Sequence, residues 1–233
     1  MAKPAKPTAQ QLEKLRAIDS GTVANAVDSF GVRERTTGFA SLELRCLNPD
    51  LPPTVGYAVT CTEDVTTPLN RPRKSYEALL RAVRASSKPA IVVFKALGQD
   101  RLRSCHVGDM MCTLLQRLGV VAVVTDGGAR DLGAVRERAP GFQLFAAGTV
   151  PGGGDYTMFD VGGEVSICGL RIAPGDLLHG DLNGLVSVPP ALATRLPARA
   201  RKIHAFETEF ADFVKGPEFS LPGLAKRFGA PWG

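Results

Sequence analysis

The stretch "GDMMCTLLQRLGVVAVVTDGGARD", residues 108–131, decides how the rest of the chain is read. Met110, Met111, Leu114, Leu115 and Leu118 recur at helical spacing, and Gly119 closes the run. Asp109 stands where an N-cap belongs. VVAVVT (120–125) is short, apolar and β-branched, as a strand buried on both faces requires. DGGA then reads as a turn, and DLGAVRER (131–138) starts another helix. Helix, strand and helix in succession predict a mixed α/β fold.

The same alternation extends in both directions. Upstream, AIVVFKA (90–96) predicts a buried strand and SYEALLRAVRAS (75–86) a helix. VGYAVTCT (55–62) alternates as a strand does, and residues 9–18 form a short helix. TVANAVDSFG is a helix that Ser20 can cap and Gly31 ends. Downstream, FQLFAAG (142–148) is strand-like. After Pro151-Gly-Gly-Gly154 the texture changes to short strands, EVSICGLRI, DLLHGD and GLVSVP, joined by turns at 174–176 and 181–184. A helix over roughly 190–214 completes the pattern. The expected organisation is a disordered leader at 1–8, a single compact mixed α/β domain at 9–215 and a tail at 216–233.

Composition narrows the function classes. Apolar residues make up 44% of the 233, enough for one sizeable core, and charged residues 22%. The net charge of +5 is modest, with mild Lys/Arg clusters at 71–84 and 194–202, so nucleic acid is not expected as a partner. The cysteines at 46, 61, 105, 112 and 168 form no CxxC and no zinc spacing. They read as reduced thiols of a cytoplasmic protein. No apolar run reaches the ~18 residues of a membrane span, and the first residues lack the apolar core of a secretory signal.

The opening stretch also carries chemistry. A helix N-terminus presents unpaired backbone N–H groups and partial positive charge. The amides near Met110 and Met111 therefore share space with the Asp109 carboxylate. If strands 90–96 and 120–125 are parallel neighbours, the loop at Asp109 and the turn at Arg130–Asp131 open on one edge of the sheet, where ligands of α/β sheets bind. The inventory is amides and an Arg for an anion, and two carboxylates for a hard cation such as Mg²⁺. A small 2-oxo acid fits both halves. Plainer readings stay open: Asp109 as a helix cap only, Arg130–Asp131 as a surface pair, and Asp131 as the cap of the next helix. There is no GxGxxG or Walker pattern. His106, His179 and His204 are too scattered for a metal cluster; His106, three residues before Asp109, is within reach of the pocket but reads first as a structural or surface residue. Lys95 leaves a Schiff-base route as a minor option. Asp126, Asp181 and Asn183 read as turn residues.

The spacing Asp109–x20–Arg130–Asp131, with "GYAVTCTED" and "GLRIAPGDLLHGDLNGLVSVP", resembles a known family over about residues 20–215. That family joins the class II 4-hydroxy-4-methyl-2-oxoglutarate/4-carboxy-4-hydroxy-2-oxoadipate aldolases with the regulator of ribonuclease E activity A. The resemblance implies an α/β sandwich of the swivelling phosphohistidine-domain type. It also implies a homotrimer or hexamer with the site between subunits. By that likeness Asp131 ligates Mg²⁺ or Mn²⁺, Asp109 holds a water of the metal, and Arg130 contacts the keto oxygen and the forming enolate. The amides of Met110 and Met111 take the substrate carboxylate. Glu207, or failing it Glu209, completes the metal site of a neighbouring chain. The implied activity is cleavage of a 4-hydroxy-2-oxo diacid to pyruvate, with oxaloacetate decarboxylation as a second activity. The alternative is a non-catalytic protein regulator of an endoribonuclease. Pro189-Pro190 and the tail after Gly216 do not match the family pattern.

Overall fold

The computed structural model describes residues 6–67 and 76–229. Helices α1 (Ala9–Arg16) and α2 (Ser20–Asp28) come first, then strands β1 (Arg45–Cys46) and β2 (Thr54–Asp64). Helix α3 (Glu77–Ala85), strand β3 (Ala90–Leu97), a 3-10 turn at Arg101–Arg103 and strand β4 (Cys105–Val107) follow. Next are α4 (Asp109–Arg117), β5 (Val120–Thr125), β6 (Gly128–Ala129), α5 (Leu132–Arg138), β7 (Gln143–Ala146) and β8 (Gly148–Thr149). The last part holds β9 (Thr157–Val161), β10 (Val165–Ile167), β11 (Leu170–Ile172), β12 (Leu177–Asp181), β13 (Gly184–Val188), α6 (Leu196–Lys215) and α7 (Leu221–Phe228).

The main sheet runs β1-β7-β5-β3-β2-β12-β13, with β9 also paired to β2. Its centre is parallel: β2 with β3, β3 with β5, and β5 with β7. The hairpin β12–β13 adds antiparallel strands at one side. Period two sorts β3 cleanly. Ala90, Val92 and Phe94 face α3, α4 and α5, meeting Leu79, Val83, Cys112, Leu115 and Val135. Ile91 and Val93 face the other way, onto Ile167, Ile172 and Leu178 of the β10–β12 layer. Both faces are buried, which is why β3 and β5 are almost wholly apolar. A third cluster packs α1, α2 and α6 on Val55, Tyr57, Leu177 and Val186. Each fully buried Leu, Val or Phe here contributes about 1.5–3 kcal/mol relative to exposure. The result is the mixed α/β sandwich expected from the sequence.

Several boundaries differ from expectation. Asp19, not Ser20, caps α2, its carboxylate accepting from Thr22 N at 2.8 Å. Ser20 is drawn elsewhere: its N–H and hydroxyl both donate to the buried Asp181, at 2.7 and 2.6 Å. The late helix begins at Leu196 rather than near 190, and the tail contains α7. The glycine turn after β5 forms the short strand β6. Ser75, expected to open α3, and residues 1–5 of the leader lie outside the described residues, as does part of the 71–84 basic cluster. Among the described residues no helix is long and apolar enough to cross a membrane.

Candidate active site

The parallel pairing of β3 with β5 sends the chain out of both strands at one edge. There β4, β6 and β8 form a separate three-stranded sheet, with Val107 in register with Ala129. Arg130 N donates to Val107 O at 3.0 Å, so the two loops that leave β4 and β6 run side by side. Gly108 shows how close they come. A Cβ on Gly108 would lie 2.6 Å from Asp131 Oδ2 and 3.2 Å from Arg130 Nε. Only a residue without a side chain lets the start of α4 approach the Arg130–Asp131 turn this closely.

Each charged group is held by a specific contact. Arg130 Nε and Asp131 Oδ2 are 3.1 Å apart, both partly open to solvent. Asp131 adopts a left-handed backbone, φ 60° and ψ 34°, and does not cap α5 although it occupies the N-cap position. Its carboxylate turns instead toward Gly108. Asp109 is not the N-cap of α4. Gly108 holds that position, and Asp109 is the first helical residue. The Asp109 carboxylate, largely buried, is paired with Arg138 from the end of α5. A guanidinium is a stronger partner than a backbone amide, which explains the departure from the capping role. The first backbone bond of α4 runs from Cys112 N to Gly108 O, so the amides of Asp109, Met110 and Met111 precede the helical ladder. The Met110 side chain is 76% exposed, and Met111 is partly buried against the core.

Arg130, Asp131 and Leu132 form one wall of an open cleft of about 460 Å³, and Thr149, Val150 and Pro151 the other. Near it, burial pushes the Cys112 thiol up to about 12, with the charges of Asp109 and Asp131 adding to the effect. Burial also raises Cys105. Both stay protonated thiols and offer no thiolate nucleophile. Burial raises the Tyr156 phenol, with Cys105 adding and Arg130 opposing. Tyr156 Oη and Arg130 Nη1 each lie 3.1 Å from the point where a Cβ on Gly153 would sit.

The donor set suits a hard divalent cation. Asp131 supplies a carboxylate at the cleft, beside Arg130 and the amides at the start of α4, whereas Asp109 does not line the cleft and its carboxylate is turned to Arg138. Mg²⁺ uses one or two carboxylates and completes its shell with water and substrate oxygen. Among the described residues no group of three or more His, Cys, Asp or Glu is placed to hold a metal ion within one chain. Glu207 lines a different groove, between α2 and α6, with Asp28, Arg35 and Arg199. Glu209 pairs with Arg227 at 3.0 Å. Neither Glu shares the cleft within one chain.

The remaining candidates are committed elsewhere. Lys95 Nζ pairs with Asp126 Oδ2 at 2.5 Å, so its amine is tied into an ion pair. Asp126 is not a turn residue in the expected sense. Its Oδ1 accepts from Ala96 N at 2.8 Å, joining β3 to the end of β5, and Thr125 Oγ1 takes the turn amide of Gly127. Asp181 does accept from Asn183 N across the β12–β13 turn, at 2.8 Å. His106 and His179 are buried, and His204 contacts Thr22 and Asp19. Sequence reasoning missed Arg138, Thr149–Pro151 and Tyr156. Arg138 looks like any cation in a last helical turn. The others sit beyond the glycine-rich 151–154 passage or in front of it, with no spacing signal of their own.

The RraA-like family model, described as Aldolase/RraA, matches residues 22–187. The chain belongs to the Aldolase/RraA family. A curated relative from Halalkalibacterium halodurans, named "Putative 4-hydroxy-4-methyl-2-oxoglutarate aldolase", is 30% identical over 129 residues, 55% of this chain and 60% of its own length. The chain thus spans about 60% of the length of the curated relatives it matches. A crystal structure of an uncharacterized protein from Pseudomonas syringae pv. tomato covers 97% of both chains with a TM-score of 0.73 at 21% identity. Streptomyces coelicolor RraAS2, described as an unusual member of the RNase ES inhibitor RraA protein family, covers 89% of this chain and 98% of its own. Its TM-score is 0.67 at 23% identity. At these identities the two structures establish the shared fold.

Proposed function

We propose that this member of the Aldolase/RraA family is a divalent-metal-dependent carbon–carbon lyase of the reducing cytoplasm. It releases pyruvate from a 4-hydroxy-2-oxo diacid and decarboxylates oxaloacetate as a second activity. One observation carries the reading: the carboxylate of Asp131 and the guanidinium of Arg130 converge on Gly108, at the mouth of α4. An aspartate held in a left-handed backbone against a helix N-terminus favours a built ligand site.

The roles are those that the family likeness implies for these residues. The amides of Met110 and Met111 receive the substrate carboxylate. Asp131 and Asp109 would hold Mg²⁺ or Mn²⁺, and a neighbouring chain's Glu207, with Glu209 as the fallback, would complete the set in a homotrimer or hexamer. When bound, the cation supplies positive charge at the 2-keto oxygen. Arg130 places a fixed charge beside the same oxygen as the C3–C4 bond breaks and its electron pair passes into the pyruvate enolate. Asp109, held in place by Arg138, orients the water that takes the proton of the 4-hydroxyl and returns a proton to C3 of the enolate, giving pyruvate. In oxaloacetate the same bond breaks and CO₂ leaves, so the same residues serve.

The test is pyruvate formation from oxaloacetate and from 4-hydroxy-4-methyl-2-oxoglutarate with Mg²⁺ or Mn²⁺. Activity is expected to vanish with chelator and with Asp131→Ala, and Arg130→Ala is expected to lower kcat about 10²–10³-fold. A folded protein that binds Mn²⁺ with neither acid turned over defeats the lyase reading and favours a regulator of an endoribonuclease.

A further inference from the structure

Beneath the cleft lies a chain of buried polar groups that the proposed reaction does not use. Glu63, at the end of β2, and His106, in β4, are fully buried, with Glu63 Oε2 and His106 Nδ1 2.8 Å apart. Tyr76 Oη donates to Glu63 Oε1 at 2.5 Å. On the other side His106 Nε2 is 3.0 Å from Ser104 Oγ. The Ser104 hydroxyl is itself committed to Arg101 O, at 2.6 Å, so Nε2 carries the proton and donates. The imidazole stacks on Phe94, ring centroids 6.1 Å apart.

The location of this ring matters more than its charge. By its backbone His106 belongs to β4, two residues before Gly108. By its ring it abuts the other loop: a Cβ on Gly127 would lie 2.6 Å from His106 Cδ2 and 2.8 Å from Nε2, and would also run into Ser104 Oγ. Gly127 is three residues before Arg130. One side chain therefore touches both of the segments that converge on the cleft, and Glu63 fixes its orientation from a third strand.

We propose that His106, clamped by Glu63 and Ser104, is the positioning residue that sets the separation between the Gly108–Asp109 loop and the Gly127–Asp131 turn, and so the spacing of the Asp109, Arg130 and Asp131 groups. The proposal rests on the lyase reading for its catalytic consequence and on packing alone for its structural one. Displacing reacting groups by about 1 Å costs on the order of 10²-fold in rate. Loss of outer supporting contacts at a metal site costs about 10–100-fold in affinity.

The experiment compares the full-length protein with His106→Ala, Gly127→Ala and Glu63→Gln. It reads Mn²⁺ affinity by titration, kcat and KM for oxaloacetate, and amide hydrogen exchange at 105–111 and 127–131. His106→Ala removes the spacer, and Gly127→Ala pushes it from the opposite loop. Each is expected to weaken Mn²⁺ binding about 10–100-fold and lower kcat about 10²-fold with KM changed less than threefold. Each is expected to speed exchange in both segments together. Glu63→Gln keeps the size of the clamp: its amide oxygen still accepts from Tyr76 Oη, and its amide nitrogen can donate to Nδ1 of an imidazole that carries its one proton on Nε2, so it is expected to stay within about twofold of wild type in all three readouts. If His106→Ala does not fold, Gly127→Ala carries the test. Wild-type Mn²⁺ affinity, kcat and exchange in a folded His106→Ala or Gly127→Ala overturn the proposal, as does loss of both loops' protection in Glu63→Gln. A wild-type protein with no lyase activity defeats the lyase reading instead, and the exchange data then judge the positioning role by themselves.

Discussion

Asp131 combines an ion pair with a backbone that disfavours its own side chain. A non-glycine residue at φ 60° costs on the order of 1–3 kcal/mol, toward the low end for Asp. The Arg130–Asp131 pair is more than a third exposed on each side, and such pairs return only about 0–1 kcal/mol. Strain outweighs the pair, so the position is tuned against stability. Asp131→Gly is therefore expected to raise the melting temperature by about 2–4 °C per kcal/mol relieved while abolishing Mn²⁺ binding and pyruvate release. A lower melting temperature in calorimetry shows that the carboxylate holds the loops together more strongly than its backbone resists.

Among the secondary-structure elements, α1 is pinned through its C-terminus. His179 of β12 donates from Nε2 to Leu15 O and Ile18 O, at 3.2 and 2.9 Å. Its Nδ1 is buried without a partner among the described residues, and burial pushes the imidazole below its ordinary range. An unfolded His titrates near pH 6.5. The folded value is lower, so below about pH 6.5 the unfolded chain binds the extra proton. The contribution is complete above that pH and is lost as pH falls toward the folded value. The urea midpoint is thus expected to drop between pH 7 and 5, and His179→Gln, which keeps a donor, to flatten the drop. A parallel decline in both proteins excludes this origin. Sequence periodicity located α3, α4, β2, β3 and β5 within a residue or two, because each has one strongly apolar face or two. It could not foresee that Asp109 would leave the capping role for Arg138, since the partner lies 29 residues away. Nor could it see that Asp126 would bind a neighbouring strand, or that Glu63 and His106 would meet across 43 residues. Long-range polar pairing leaves no local spacing. The Gly108–Asp131 contact was anticipated only as a shared edge, and its closeness depends on the β4–β6 pairing that no motif announced.

For the whole molecule, the decisive feature is the distance between the cleft and Glu207. Within one chain Glu207 faces the α2–α6 groove. If a neighbour supplies this carboxylate, two individually defective variants can repair each other. Asp131→Ala and Glu207→Gln are each expected to be at least tenfold impaired, and mixed oligomers formed by subunit exchange to regain activity that neither homogeneous sample has. Mixtures no better than their parts, in both the Glu207 and Glu209 versions, argue for a site completed within a single chain.

The small β4–β6–β8 sheet stands apart from the main sheet. Its strands are two or three residues long, and they end in the loops that carry the reactive groups. Val107 and Ala129 of these strands are nonetheless buried in the same core as β3, α4 and α5, so the small sheet is anchored to the large one. Short strands pinned by a few buried side chains leave the loops they carry free to vary in length and charge while the frame beneath them stays the same.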